Sequence, residues 1–212
     1  MNLLTVVLTI GVSPSAWSGA GRVFTPADIL DWSVHAFTGH TAYGLGRIAG
    51  DTAVHAVCDG ASASGLVYRG AIDLRRTPIL EWRWRAGRLP AQADERSRSG
   101  DDFAARLYIV DEHTILRWRT RAVNYVWTRS VPTGTDWPNP FAGQAHMLAV
   151  QSGPPDEEGW VTERRNVRED FQRYHGRDIG QVEAVAIMTD CDNTGASTSA
   201  YYGTIRWLPA KD

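Results

Sequence analysis

The sequence is almost without lysine: Lys211 stands alone against twenty-one arginines. GC-rich coding produces such a skew, and it carries no function of its own. Cysteine and methionine are scarce, at two and three residues, and neither sign of charge dominates, with 24 acidic against 22 basic side chains. A formal net charge of −2 removes any global electrostatic pull toward nucleic acid or an anionic membrane surface. No apolar run approaches the roughly 20 residues that a membrane-spanning helix needs. The six histidines include no HExxH and no close pair, so a zinc site is not expected. There is no GxSxG elbow, no phosphate-binding loop and no GxGxxG, and Gly44-Leu45-Gly46 reads only as a turn. What remains is 212 residues, 43% hydrophobic and 22% charged, with nine tryptophans. That composition excludes disorder, coiled coil and collagen, and the length suits one well-buried domain. Neither charge nor composition sets an oligomeric state.

The apolar run at residues 3–12 (LLTVVLTIGV) suits the core of a secretory signal. Ala16-Trp17-Ser18 and Ser18-Gly19-Ala20 both place small residues where a signal peptidase cuts. No Lys or Arg precedes the run, and a buried first strand rich in Val, Thr and Ile is the alternative. The expectation is a signal peptide over residues 1–20, one domain over 21–212, and a periplasmic or secreted protein. Export decides how Cys58 and Cys191 read. They are far apart, with no CxxC, and an isolated pair in an oxidising compartment is most simply a disulfide. Two free buried thiols are the competing reading. A catalytic thiolate is the poorer one, because Asp190 and Asp192 flank Cys191 and raise a thiol pKa.

Period-two alternation runs through most of the chain. Leu80, Trp82 and Trp84 share one strand face and belong in a core, while Glu81, Arg83 and Arg85 share the other. Similar alternation covers 54–58, 65–73, 103–110, 122–128, 146–151, 182–189 and 199–208, with turn-forming clusters between. One helix is expected over 167–174, capped by Asn166 and ended at Gly176. The stretch 93–100 (ADERSRSG) reads as an exposed loop. About nine or ten short strands spaced this way predict an all-β fold, an antiparallel two-sheet jelly-roll sandwich with one short helix.

Three constellations could carry chemistry. Asp102 and Arg106 are separated by an even number of residues, so on one strand they face the same side and either pair or hold a polar ligand. A structural ion pair is the plainer alternative. Asp190, Asp192 and Asn193 offer hard oxygens of the type calcium prefers, in a segment that is also simply a turn. The aromatic residues Trp118, Trp127, Trp137, Trp160, Tyr201 and Tyr202 lie in or beside loops, where flat faces suit sugar rings, although most tryptophans at period-two positions are core. In antiparallel neighbours one strand's start lies beside the other's end, so Asp102, Arg106, Asp190 and Asp192 are expected to converge at one end of the sandwich.

Motifs in order, Glu81-Trp82-Arg83-Trp84, residues 101–108 (DDFAARLY), Asn124-Tyr125-Val126-Trp127, Trp137-Pro138-Asn139-Pro140, Arg165-Asn166-Val167, Asp170-Phe171, Met188-Thr189-Asp190, Asp192-Asn193-Thr194 and Tyr202-Gly203, resemble the bacterial proteins grouped as domain of unknown function 3047. The resemblance implies an exported β-sandwich from about residue 34 to 207 and supplies no activity. The chain departs from that pattern at Tyr174-His175 and at Cys191, which favours a bridge to Cys58. The ligand-binding candidates are thus Asp102, Arg106, Asn124, Trp127, Trp137, Asp190, Asp192, Asn193 and Tyr202, with calcium at Asp190, Asp192 and Asn193 as the one cofactor considered. The expected function is non-catalytic binding of a polysaccharide or a small polar ligand. The alternative is a carbohydrate-active enzyme with paired Asp carboxylates.

Overall fold

The computed structural model describes residues 21–90, 94–113, 115, 117–155 and 159–210; the expected signal peptide at 1–20 lies outside them. The chain forms β1 (Val23–Phe24), α1 (Pro26–Leu30), β2 (Ser33–Thr38), β3 (Ala42–Ile48), β4 (Asp51–Cys58), β5 (Ala63–Asp73) and β6 (Ile79–Ala86). It continues with β7 (Ala105–Asp111), β8 (Arg121–Thr128), β9 (Asp136–Pro138), β10 (Ala145–Ser152) and β11 (Val161–Asn166), and ends with α2 (Val167–His175), β12 (Gln181–Asp190) and β13 (Thr198–Leu208). One sheet runs β11-β6-β13-β4-β3 with β1 beside β13, and the other runs β2-β5-β12-β7-β8-β10-β9. The two sheets enclose one core, so the all-β sandwich is as expected.

The core follows from the period-two pattern. Leu80, Trp82 and Trp84 of β6, with Tyr202, Ile205 and Trp207 of β13, face Leu107, Ile109, Tyr125, Trp127, Val185 and Ile187 of the other sheet. Trp82 stacks on Tyr125 at 5.2 Å and Trp84 meets Trp127 at 5.9 Å, joining the sheets through aromatic pairs. Burying each such ring stabilises by roughly 2–3 kcal/mol. α2 starts on Asn166, whose side chain accepts from the Glu169 N–H, and ends at Gly176 in the left-handed conformation, φ 64°. It buries Val167 and Phe171 against the core. Cys58 and Cys191 form a disulfide with Cα atoms 6.0 Å apart.

The structure corrects four local readings. Among the described residues every strand pairing is antiparallel except β8–β10, which is parallel, because the connection through β9 returns the chain to the starting end of β8. A five-residue helix, α1, accompanies α2, with a capping box between Thr25 and Asp28. Gly44-Leu45-Gly46 is the middle of edge strand β3, not a turn, and Gly46 is required there. A Cβ on it would come 2.8 Å from the His55 Cβ of the neighbouring strand. Within 94–100, Glu95 is buried rather than solvated. Its carboxylate accepts backbone N–H bonds from Arg129, Ser130 and Val131 and fastens this loop to the turn after β8.

Candidate functional site

The outer face of the seven-stranded sheet carries a cleft. Alternation sends Val185 and Ile187 of β12 and Leu107 and Ile109 of β7 inward, so Ala184, Ala186, Met188, Arg106, Tyr108 and Val110 turn outward and form its floor. Two adjoining hollows, of about 160 and 330 Å³, share Phe37, Tyr108 and Met188 as a common boundary. The first is mainly apolar, bounded by His35, Val67 and the Arg69–Glu112 ion pair. The second is polar at its far end, where Asp101, Arg106, Asp190, Asp192, Asn193, Asn124 and Asn139 line it beside Phe141. Phe37 and Phe141 are 66% and 53% exposed; Phe37 meets His35 edge-on at 4.7 Å, and the Arg98 guanidinium lies 5.3 Å from the Phe141 ring centre.

Local folding explains the polar end. β12 finishes at Asp190, whose N–H donates to the Phe103 carbonyl while its Oδ1 accepts from the Phe103 N–H at 3.0 Å. This exchange extends the β12–β7 pairing beyond the strand. The next residues turn sharply, closed by the Gly195 N–H to the Cys191 carbonyl, with Gly195 at φ 67°. Asp102 pins that turn: its oxygens accept from the N–H groups of Asn193 and Thr194 and from Asn193 Nδ2. Arg106, 3% exposed, reaches back toward this turn. Its Nη2 lies 3.1 Å from Asp190 and donates to the Asp101 carbonyl, Nη1 donates to the Tyr108 hydroxyl, and the guanidinium sits 4.6 Å from the Phe103 ring centre.

Electrostatics there are dominated by burial. It pushes Asp190 up to about 8, against the opposing pull of Arg106 and the Phe103 N–H. Burial likewise raises Asp101, partly offset by Arg106, and raises Asp192, where the Asp102 charge adds to it. The Tyr108 hydroxyl is raised for the same reason.

The structure brings Asp102, Asp190 and Asp192 together, with one oxygen of each inside a 4.8 Å group, and Arg106 beside them. The expected Asp102–Arg106 pair is corrected. β7 begins only at Ala105, so strand parity does not reach residue 102, and Arg106 pairs with Asp101 and Asp190 instead. Trp127 and Tyr202 are also corrected: both are core residues. Trp127 Nε1 donates to the Gly153 carbonyl and the Tyr202 hydroxyl to the Met188 carbonyl. Trp137 packs with Phe103, Val126, Val131, Met147 and Ala149 in a small second cluster and does not line the cleft. Of the remaining aromatic candidates, Tyr201 stacks on His55 of the neighbouring strand in the six-stranded sheet, away from the cleft, Trp160 lies 4.8 Å from the Arg83 guanidinium, and Trp118 is 66% exposed. Asn124, Asp190, Asp192, Asn193 and Arg106 line the cleft as a group. Sequence reasoning passed over Phe37, Tyr108, Asn139 and Phe141. The Pro138-Asn139-Pro140 turn, stiff and followed at once by Phe141, was the available signal for two of them.

The acidic group fits calcium poorly. Calcium takes six to eight oxygen ligands. Here both Asp102 oxygens already accept N–H bonds, and those of Asp190 meet Phe103 and a guanidinium that repels a cation.

The family model described as "protein of unknown function (DUF3047)" matches residues 30–206. No curated protein matches the sequence. Among solved structures, the chain is similar in fold to the family 11 carbohydrate-binding module of a cellulosomal cellulase of Clostridium thermocellum, at 10% identity and TM-score 0.49 over 91% of this chain and 96% of that one. It also resembles a Cel12A cellulase variant derived from Rhodothermus marinus, at 12% identity and TM-score 0.41 over 87% and 95%. It covers only 22% of the glycoside hydrolase domain of Endo-D from Streptococcus pneumoniae R6, with 85% of this chain aligned at 8% identity and TM-score 0.44.

Proposed function

This chain belongs to the DUF3047 family of unknown function, and we propose that it is an exported, non-catalytic glycan-binding protein whose ligand lies in the cleft on the seven-stranded sheet. One observation carries the reading: an apolar floor edged by the exposed rings of Phe37 and Phe141 leads directly into a cluster of polar groups. Sugar rings present the same two chemistries, C–H faces that lie on aromatic rings and hydroxyls that need hydrogen-bond partners. The disulfide suits an oxidising compartment, and no helix among the described residues is long and apolar enough to cross a membrane.

Binding without cleavage is favoured over hydrolysis by where the acids sit. A glycoside hydrolase sets two carboxyl groups on either side of the scissile bond. At the polar end the carboxyl groups lining the cleft, Asp101, Asp190 and Asp192, come from two segments hydrogen-bonded to each other; residues 139–145 contribute none, and Glu112, which lines the apolar hollow, is paired with Arg69. Screening the purified protein on a glycan array and titrating hits by calorimetry tests the reading. Phe37→Ala and Phe141→Ala are each expected to weaken binding about tenfold, equivalent to roughly 1.4 kcal/mol. No new reducing ends should appear, and added calcium should leave affinity unchanged. An array without a hit, or affinities indifferent to both substitutions, would reject the site.

A further inference from the structure

At the polar end of the cleft most donors are committed and acceptors are left over. Arg106 uses Nη1 on Tyr108 and Nη2 on Asp101 and Asp190. Asn193 Nδ2 is shared between Asp102 and Asp192, Asn139 Nδ2 between Asp101 and the Met147 sulfur, and Asn124 Nδ2 goes to that same sulfur. On the acceptor side, Asn124 Oδ1 is fully buried and has no partner among the described residues. A native protein rarely leaves such an oxygen unused, because an unmade bond costs about 1–3 kcal/mol. Asp101 is held only loosely, with Asn139 at 3.3 Å and Arg106 at 3.6 Å. Asp192 is half-buried and accepts from Asn193 Nδ2 at 3.1 Å. One donor is unpartnered, the Nε of Arg106, on a guanidinium packed against Phe103.

Charge points the same way. Four carboxyl groups, Asp101, Asp102, Asp190 and Asp192, gather around a single guanidinium. Burial is the first cause of the upward shift of three of them, and the neighbouring carboxyl groups add to it. An anionic ligand is disfavoured here, and a cationic donor supplies both what the hydrogen bonding and what the charge lack. A calcium ion would need more free oxygens than the cluster has, whereas an ammonium group needs only three acceptors.

We infer that the cleft recognises a glycan bearing an unsubstituted amino sugar, its ammonium seated between Asp101 and Asp192 with the Asn124 carboxamide oxygen behind them. The inference rests on the glycan-binding reading and names the ligand class of that site. In it the sugar ring lies toward Phe141, and the chain continues over Tyr108 and Phe37 along the apolar floor.

Calorimetry under mildly acidic conditions, where the amine is charged, tests this with three probes. They are a β-1,4-linked glucosamine tetrasaccharide, its fully N-acetylated counterpart and a β-1,4-glucan tetrasaccharide. The amine is expected to bind at least tenfold more tightly than either neutral sugar. Asp192→Asn, and separately Asp101→Asn, should abolish that preference in protein whose melting temperature shows it folded. Raising salt to about 0.5 M should narrow it, since the Debye length drops below about 5 Å. Equal or tighter binding of a neutral probe overturns the amino-sugar assignment and leaves the glycan reading standing. Failure of every oligosaccharide, on the array as well, overturns both.

Discussion

Replacing Cys58 and Cys191 together with alanine removes a cross-link between residues 133 apart in sequence. In the chain-entropy model such a closure takes about 17 cal/mol/K from the unfolded ensemble, from 2.1 plus 1.5R ln n, or about 5 kcal/mol at 25 °C. Against a typical total of about 5–15 kcal/mol, that is a third or more of the stability. Both residues are fully buried, so the lost sulfur atoms add a small packing term of the same sign. The bridge joins the end of β4 to the turn that carries Asp190, Asp192 and Asn193. That turn is also held by Asp102 and by the Cys191 N–H to the Ser62 carbonyl at 2.9 Å. The double variant is therefore expected to fold and to keep the cleft while unfolding far more easily. Urea titration followed by tryptophan fluorescence measures the difference, and thiol titration of the denatured wild type should find no free cysteine. A stability loss below about 1 kcal/mol would refute the loop-entropy reasoning for this protein.

Arg106→Met leaves Asp190 and Asp101 without their buried cation and should cost about 3–5 kcal/mol. The loss should grow as pH rises through about 8, where Asp190 ionises, and Asp190→Asn should recover part of it; a pH-independent loss would contradict the pairing. In the wild type the folded pKa of Asp190, about 8, lies above its ordinary 3.8, so the folded state holds the proton more tightly. Its contribution is fully present below about pH 4 and is lost as pH rises toward 8. Urea midpoints across that range should fall in the wild type more steeply than in Asp190→Asn, and matching slopes would exclude Asp190 as the source.

The inward tryptophans of β6, the helix with its Asn166 and Gly176 ends, and the pairing of the two cysteines were all legible in the chain. The tryptophans and the helix are set by local chemistry, a two-residue period with one apolar face, a side chain that caps and a residue that tolerates positive φ, whereas the cysteine pairing follows from there being only two cysteines in a chain read as exported. Edge strands β2 and β3 were not legible, because an exposed strand has no buried face to impose alternation. Convergence of Asp102, Arg106, Asp190 and Asp192 followed from which strand ends meet in an antiparallel sheet. Partner choice did not follow, because it turns on where β7 begins. β7 starts at Ala105, three positions after Asp102, which leaves Asp102 to the 193–194 amides and gives Arg106 to Asp101 and Asp190. The cleft itself belongs to the tertiary structure alone. Phe37, Tyr108 and Phe141 come from three separate segments, and only the sheet order β2-β5-β12-β7-β8-β10 sets them along one face. Sequence periodicity reports which side of a strand is buried, but strand order is fixed by long-range packing between segments that no local pattern connects.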